Sequence, residues 1–185
     1  SRIMEMFEDG ERILAREEVT IAQGEVSADC GELLFMRNGE KVLLTIQPEA
    51  RRAGDFLRGS EIDLLLDKRV LRGIGIRGSA AVVTRVDTLA SPDPKYDLIS
   101  GEEIYVGITK NAIDSLHVRG RATSYYHLYD DKKYQGFNKV LGDEIMMNFK
   151  EQKVAWVGVK SAPAASNGVF HPAGQESPLL KEMEP

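Results

Sequence analysis

The chain has 185 residues, 42% apolar and 29% charged, with a net charge of −5. These values belong to a soluble globular domain and exclude a disordered chain, a collagen-like one and a coiled coil. The acidic balance leaves no basic field for nucleic acid. The single Cys30 excludes an intramolecular disulfide framework, and no apolar run approaches the ~18 residues of a membrane span. The start, Ser1-Arg2-Ile3, reads as a trimmed or mature segment.

In chain order, one layout recurs: a short alternating run, a polar turn, then a second alternating run. The chain opens inside a first copy, where Phe7 leads into Asp9-Gly10 and the return passes through Ile13, Val19 and Ile21. A looser copy runs through Val26, Asp29, Leu34 and Met36, turns at Asn38-Gly39, and returns through Val42, Leu44 and Ile46. Asp-Gly and Asn-Gly are strong hairpin signals, because both tolerate the positive φ that tight primed turns need. Three closer copies follow. Gly59-Ser60-Glu61-Ile62 turns at Asp67-Lys68-Arg69, Gly101-Glu102-Glu103-Ile104 at Thr109-Lys110-Asn111, and Gly142-Asp143-Glu144-Ile145 at Lys150-Glu151-Gln152. Extra length between these copies falls in 88–98 and 130–139. Both stretches are polar and are expected to be loops.

The period inside each copy is two. Ile62/Leu64/Leu66, Ile104/Val106/Ile108 and Ile145/Met147/Phe149 alternate with mostly polar neighbours, and so do the returns Val70/Ile74/Ile76 and Leu116/Val118. This is the pattern of half-buried strands. It predicts ten to twelve strands, all-β, with no helix. One domain is expected over 1–172, and 173–185, with its prolines and polar residues, is expected to be a flexible tail or linker.

Sites of chemistry are sparse. Gly73-Ile74-Gly75-Ile76-Arg77-Gly78 matches G-x-G-x-x-G, but β-prone Ala80 to Val86 follows where a dinucleotide site needs a helix. Those glycines are better read as relieving crowding or bending a strand. His117, His127 and His171 lack zinc-ligand spacing and are expected to be ordinary surface histidines. Cys30 has no base that the sequence can show, and the acidic pairs Glu102-Glu103, Asp130-Asp131 and Asp143-Glu144 suit turns. No catalytic residue, metal ligand or cofactor is expected. The cluster Tyr125-Tyr126-His127-Leu128-Tyr129 with Tyr134 and Phe137 reads as an aromatic strand pair, or as an amphipathic rim for a sugar or lipid headgroup.

The repeated pattern, Gly-acidic-x-Ile, a turn, and a return ending Gly-x-Ala, resembles the OstA-like family. That family comprises the periplasmic lipopolysaccharide-transport proteins LptA and LptC and the N-terminal domain of LptD. The residues are Gly59-Ser60-Glu61-Ile62 through Arg77-Gly78-Ser79-Ala80, and Gly101-Glu102-Glu103-Ile104 through Arg119-Gly120-Arg121-Ala122. Gln23-Gly24-Glu25-Val26-Ser27-Ala28-Asp29 is similar to the family's opening, and the third copy departs by ending Ser161-Ala162.

The resemblance covers roughly 13–172. It implies an antiparallel β-jellyroll, an open twisted two-sheet sandwich, in the periplasm. It implies a non-enzymatic carrier or bridge whose apolar interior takes lipid A acyl chains. The expected lining is Ile62, Leu64, Ile74, Ile76, Ile104, Val106, Ile108, Leu116, Val118, Ile145, Met147, Phe149 and Trp156. The implied partners are lipopolysaccharide or a related glycolipid and other jellyrolls, including further copies of this chain, joined by edge-strand addition. The alternative is a structural β-repeat scaffold with a dry core and no lipid.

Overall fold

The computed structural model describes residues 1–24, 26–38, 40–52, 54–86, 95–130, 133–151, 153–162 and 166–174. Among these are thirteen antiparallel strands and one turn of 3-10 helix, Glu8–Gly10. The strands are β1 (Ile3–Phe7), β2 (Arg12–Gln23), β3 (Val26–Met36), β4 (Lys41–Thr45), β5 (Glu49–Arg52), β6 (Asp55–Arg58) and β7 (Glu61–Asp67). They continue as β8 (Val70–Arg85), β9 (Tyr96–Thr109), β10 (Ala112–Asp130), β11 (Lys133–Lys150), β12 (Lys153–Lys160) and β13 (Asn167–Pro172).

The long strands bend, and the bends divide the ladder into two leaves that share one interior. The first leaf runs β1-β2-β3-β4-β7-β8-β9-β10-β11-β12. The second runs from β2 and β3 through β5 and β6 to β8, β9, β10, β11 and β13. Four of the returning segments bend at a pair of residues with positive φ: Glu17-Glu18, Ile46-Gln47, Gly78-Ser79 and Gly120-Arg121. Such a pair breaks the pleat and re-aims the strand. The facing strands are crowded there. A Cβ on Gly59 would meet Ile76 Cγ2 at 2.6 Å, one on Gly101 would meet Val118 Cγ1 at 2.6 Å, and one on Gly142 would meet Val159 Cγ1 at 2.6 Å. The recurring glycine is thus required by close approach to a β-branched side chain at the bend.

Two expectations are corrected here. Tyr96, Asp97 and Leu98 lie in β9, and 133–139 lies in β11. The described parts of these stretches therefore extend strands into the second leaf instead of forming loops, with Leu98 and Phe137 buried at alternate positions. The strand count is thirteen because the bends split two extended segments into β4 with β5 and β6 with β7. The hairpin glycine Gly39, the expected loop residues 88–94, Asp131, the turn residue Gln152 and the tail from 175 onward lie outside the described residues.

Candidate functional site

Strand alternation and register together build the interior. One cross-strand row of the first leaf reads Met4, Ala15, Leu33, Leu44, Ile62, Ile76, Ile104, Val118, Ile145, Val159, each residue directly opposite the next. A second reads Met6, Ile13, Phe35, Val42, Leu64, Ile74, Val106, Leu116, Met147, Val157. Both rows are apolar on all ten strands without interruption. At the usual strand spacing they extend about 43 Å. The second leaf faces them with a row of smaller residues: Ile21, Ala28, Ala50, Leu57, Val82, Ile99, Ser124, Val140, Gly168. Side chains of both leaves pack into one cluster.

The rows differ in exposure along their length. Ile62, Ile76, Val118 and Ile145 are 0% exposed, whereas Met4 is 67% and Val159 41% exposed. The interior is packed on itself in the middle and uncovered at both edges. Among the described residues, β1 pairs only with β2 and β12 only with β11, so the outer sides of both edge strands face no further strand.

Twelve of the thirteen expected lining residues share this interior. Ile62, Leu64, Ile74, Ile76, Ile104, Val106, Ile108, Leu116, Val118, Ile145 and Met147 are buried in it, and Phe149 packs against it partly buried. Trp156 does not join them. It pairs with Asn148 on the outward face and is 50% exposed. A register shift between Asn148 and Phe149 puts Val157 and Val159 on the inner face instead. The edge methionines Met4 and Met6 escaped sequence reading, since no alternating run flags a five-residue strand at the chain start.

On the outer face of the first leaf, directly behind the apolar row, opposite charges pair across the strands except at the neutral Thr45: Arg16, Glu32, Thr45, Glu61, Arg77, Glu103, Arg119, Glu144, Lys160. Opposite signs across strands favour this register over a slipped one. His117 lies on this face and shares a hydrogen bond of 2.9 Å with Glu144 Oε2, which holds the Glu144 carboxyl below its usual range.

The surface reading of His127 is corrected. His127 is 4% exposed, its Nδ1 lies 3.0 Å from Asp97 Oδ1, and the same oxygen accepts its backbone N–H at 2.8 Å. Its ring packs against Tyr134 and Phe137, and His171 stacks on Phe137 with centroids 4.6 Å apart. The aromatic cluster is therefore a buried cross-strand group, with Tyr125 at 3% and Phe137 at 1% exposure, although Tyr126 and Tyr129 are exposed. Cys30 is buried and free, and burial pushes its thiol pKa up, away from nucleophilic use. Gly73, Gly75 and Gly78 lie in β8 and open no helix. Among the described residues, no group of three His, Cys, Asp or Glu side chains is placed to hold a metal ion, and no helix is long and apolar enough to cross a membrane.

Two antiparallel leaves around one continuous apolar interior define an antiparallel β-jellyroll. The chain is similar in fold to LptH, described as the LptA-homologous periplasmic component of the lipopolysaccharide transport device of Pseudomonas aeruginosa. The similarity has a TM-score of 0.57 at 13% identity, and covers 80% of this chain and 95% of LptH. No family model and no curated protein sequence matches.

Proposed function

We propose that this chain is a non-enzymatic component of lipopolysaccharide transport in the periplasm, holding the acyl chains of the glycolipid between its two leaves. The observation that carries this reading is the pair of ten-strand apolar rows open at both edges. An acyl chain in water costs about 0.8 kcal/mol per exposed CH₂, so moving one across an aqueous space needs an unbroken apolar path. The rows supply such a path, and the fold similarity to LptH agrees with it. The edges suggest how the path is lengthened: a neighbouring jellyroll, including another copy of this chain, adds its edge strand to β1 or β12 and continues both rows.

The packed middle of the rows favours a second reading, a dry-cored scaffold that assembles by its edges and binds no lipid. Binding of lipopolysaccharide and of the same glycolipid stripped of its acyl chains, compared on the full chain, separates the two. Binding that requires the acyl chains supports the carrier. Equal binding of both forms, or of neither, overturns it.

A further inference from the structure

The two leaves match strand for strand except at one end. Between β3 and β8 the first leaf holds β4 and β7, and the second holds β5 and β6. At the far end β12 and β13 pair with the two halves of β11, one in each leaf. At the near end β1 pairs with residues 12–16 of β2 in the first leaf. The second-leaf half of β2, residues 19–23, pairs with β3 on one side. Among the described residues no strand pairs with its other side, so the first leaf has ten strands and the second nine.

Burial follows this inequality. Met4 and Met6, on the inner face of β1, are 67% and 65% exposed. Val159 and Val157 end the same two rows at β12, where the second leaf has β13, and are 41% and 46% exposed. The bends show what β1 lacks. Before β7, the Ser60 N–H donates to the carbonyl oxygens of Arg77 and Gly78 at 2.8 and 2.9 Å. Before β1, the Arg2 N–H donates in the same way to the carbonyl oxygens of Arg16 and Glu17 at 3.2 and 3.0 Å. Arg2 thus holds the place of Ser60. The open side of β2 holds the place of β6, the second-leaf strand that runs into the bend ahead of Ser60.

Strand direction selects what fits there. Neighbouring strands in both leaves are antiparallel. In a leaf of ten such strands the edges β1 and β12 run oppositely, so another copy continues it in antiparallel pairing. In a leaf of nine the edges β2 and β13 run the same way. A copy joined through β12 and β1 therefore leaves one place open between its β13 and this β2, flanked by strands of like direction. We infer that the second leaf takes its tenth strand in trans: an extended peptide from a partner, about five residues long, antiparallel to residues 19–23 and running toward the bend at Arg2. The residue opposite Ile21 points inward beside Met4 and Met6 and is apolar; those opposite Thr20 and Ala22 point outward and are free to be polar. Such a strand differs from the addition of a whole jellyroll and leaves the outer sides of β1 and β12 open.

The test is amide exchange of the full chain with a synthetic peptide of the sequence Gly136-Phe137-Asn138-Lys139-Val140-Leu141-Gly142. In β11 this segment runs through the second leaf into a bend, with Val140 inward and Leu141 and Lys139 outward. Excess peptide should slow exchange at 19–23 at least about fivefold and leave 153–160 of β12 unchanged. A peptide with Lys139→Pro and Val140→Pro should protect neither. Met4→Glu with Met6→Glu, at exposed positions facing the added strand, should abolish the protection. Val157→Glu with Val159→Glu, at the opposite edge, should leave it within about twofold. Four results overturn the inference: no protection at 19–23, protection of β12 as strong as that of β2, equal loss in both variants, or exchange at 19–23 as slow as at 26–30 before peptide is added.

A second measurement reads direction. The peptide with Leu141→Cys is offered, under mild oxidation, to the Thr20→Cys chain and to the Ala22→Cys chain. Antiparallel pairing toward the bend puts the peptide thiol beside position 20, so that chain should couple at least about fivefold faster. Cys30, buried at 8% exposure, should couple in neither. Equal rates, or faster coupling at position 22, overturn the assignment. Both measurements omit glycolipid. Their failure leaves the carrier reading standing, and a chain that takes up no acylated glycolipid still has this strand site to test.

Discussion

Arg52 reaches from one leaf to the other: its Nη2 donates a hydrogen bond to the backbone carbonyl of Asn111, in the turn between β9 and β10. Arg52 stands on β5 of the second leaf and Asn111 at the rim of the first. The bond ties together the margins opposite the bends, where the leaves would part to admit a chain. Arg52→Gln shortens the side chain and releases the tie. Amide exchange at 109–112 should quicken in the variant while global stability falls by no more than about 1 kcal/mol. Unchanged exchange there contradicts the clasp.

Asp55 lies directly opposite Arg52 and accepts a hydrogen bond of 2.6 Å from Thr84 Oγ1. Burial raises its carboxyl pKa above the ordinary value, against the opposing effects of Thr84 and Arg52. A raised carboxyl favours the protonated form in the folded chain. Its stabilising contribution is complete below the ordinary carboxylate pKa and is lost as pH rises through the raised value. Asp55→Asn keeps an acceptor for Thr84 and removes the buried charge. The variant's Tm should exceed the parent's by up to about 4 °C at neutral pH, with a smaller gap in acid. A gap that widens in acid contradicts this.

The bend glycines are tested by adding a side chain. A Cβ at Gly101 would stand 2.6 Å from Val118 Cγ1 and 2.9 Å from the Arg119 carbonyl oxygen. Gly101→Ala should cost about 1–3 kcal/mol in urea unfolding. Gly168→Ala, where nothing lies within 4 Å, should change stability by less than about 0.5 kcal/mol. Equal effects at both positions contradict the crowding.

The centre and edge of one apolar row should differ in the same assay. Ile145→Ala removes a side chain of 0% exposure and should cost about 2–5 kcal/mol, whereas Val159→Ala, at 41% exposure, should cost less than about 1 kcal/mol. Comparable losses would mean that the edge is covered.

The two rows of the first leaf were legible because Ile62/Leu64, Ile104/Val106 and Ile145/Met147 keep a strict period of two beside recurring glycines. The second leaf was legible only in part. Glu17-Glu18 and Ile46-Gln47 adopt positive φ without the Gly or Asn that signals it, so two of the four bends are silent in sequence. Tyr125 and Phe137 were legible as an aromatic strand pair, whereas Leu98 sits among polar residues, which conceals the start of β9. Trp156 was misplaced because one register shift beside Phe149 reverses the alternation of β12. His127 looked superficial because its partner, Asp97, lies 30 residues away and meets it only once β9 and β10 pair.

The central claim, that acyl chains occupy the space between the leaves, is tested most directly by photo-crosslinking. A crosslinking side chain is placed in turn at Ile104 and Val118 on the inner face, and at their neighbours Glu103 and Arg119 on the outer face. Each chain is irradiated with acylated lipopolysaccharide. Crosslinks from 104 and 118, absent from 103 and 119, are the expected result. Crosslinks confined to 103 and 119 would contradict the account.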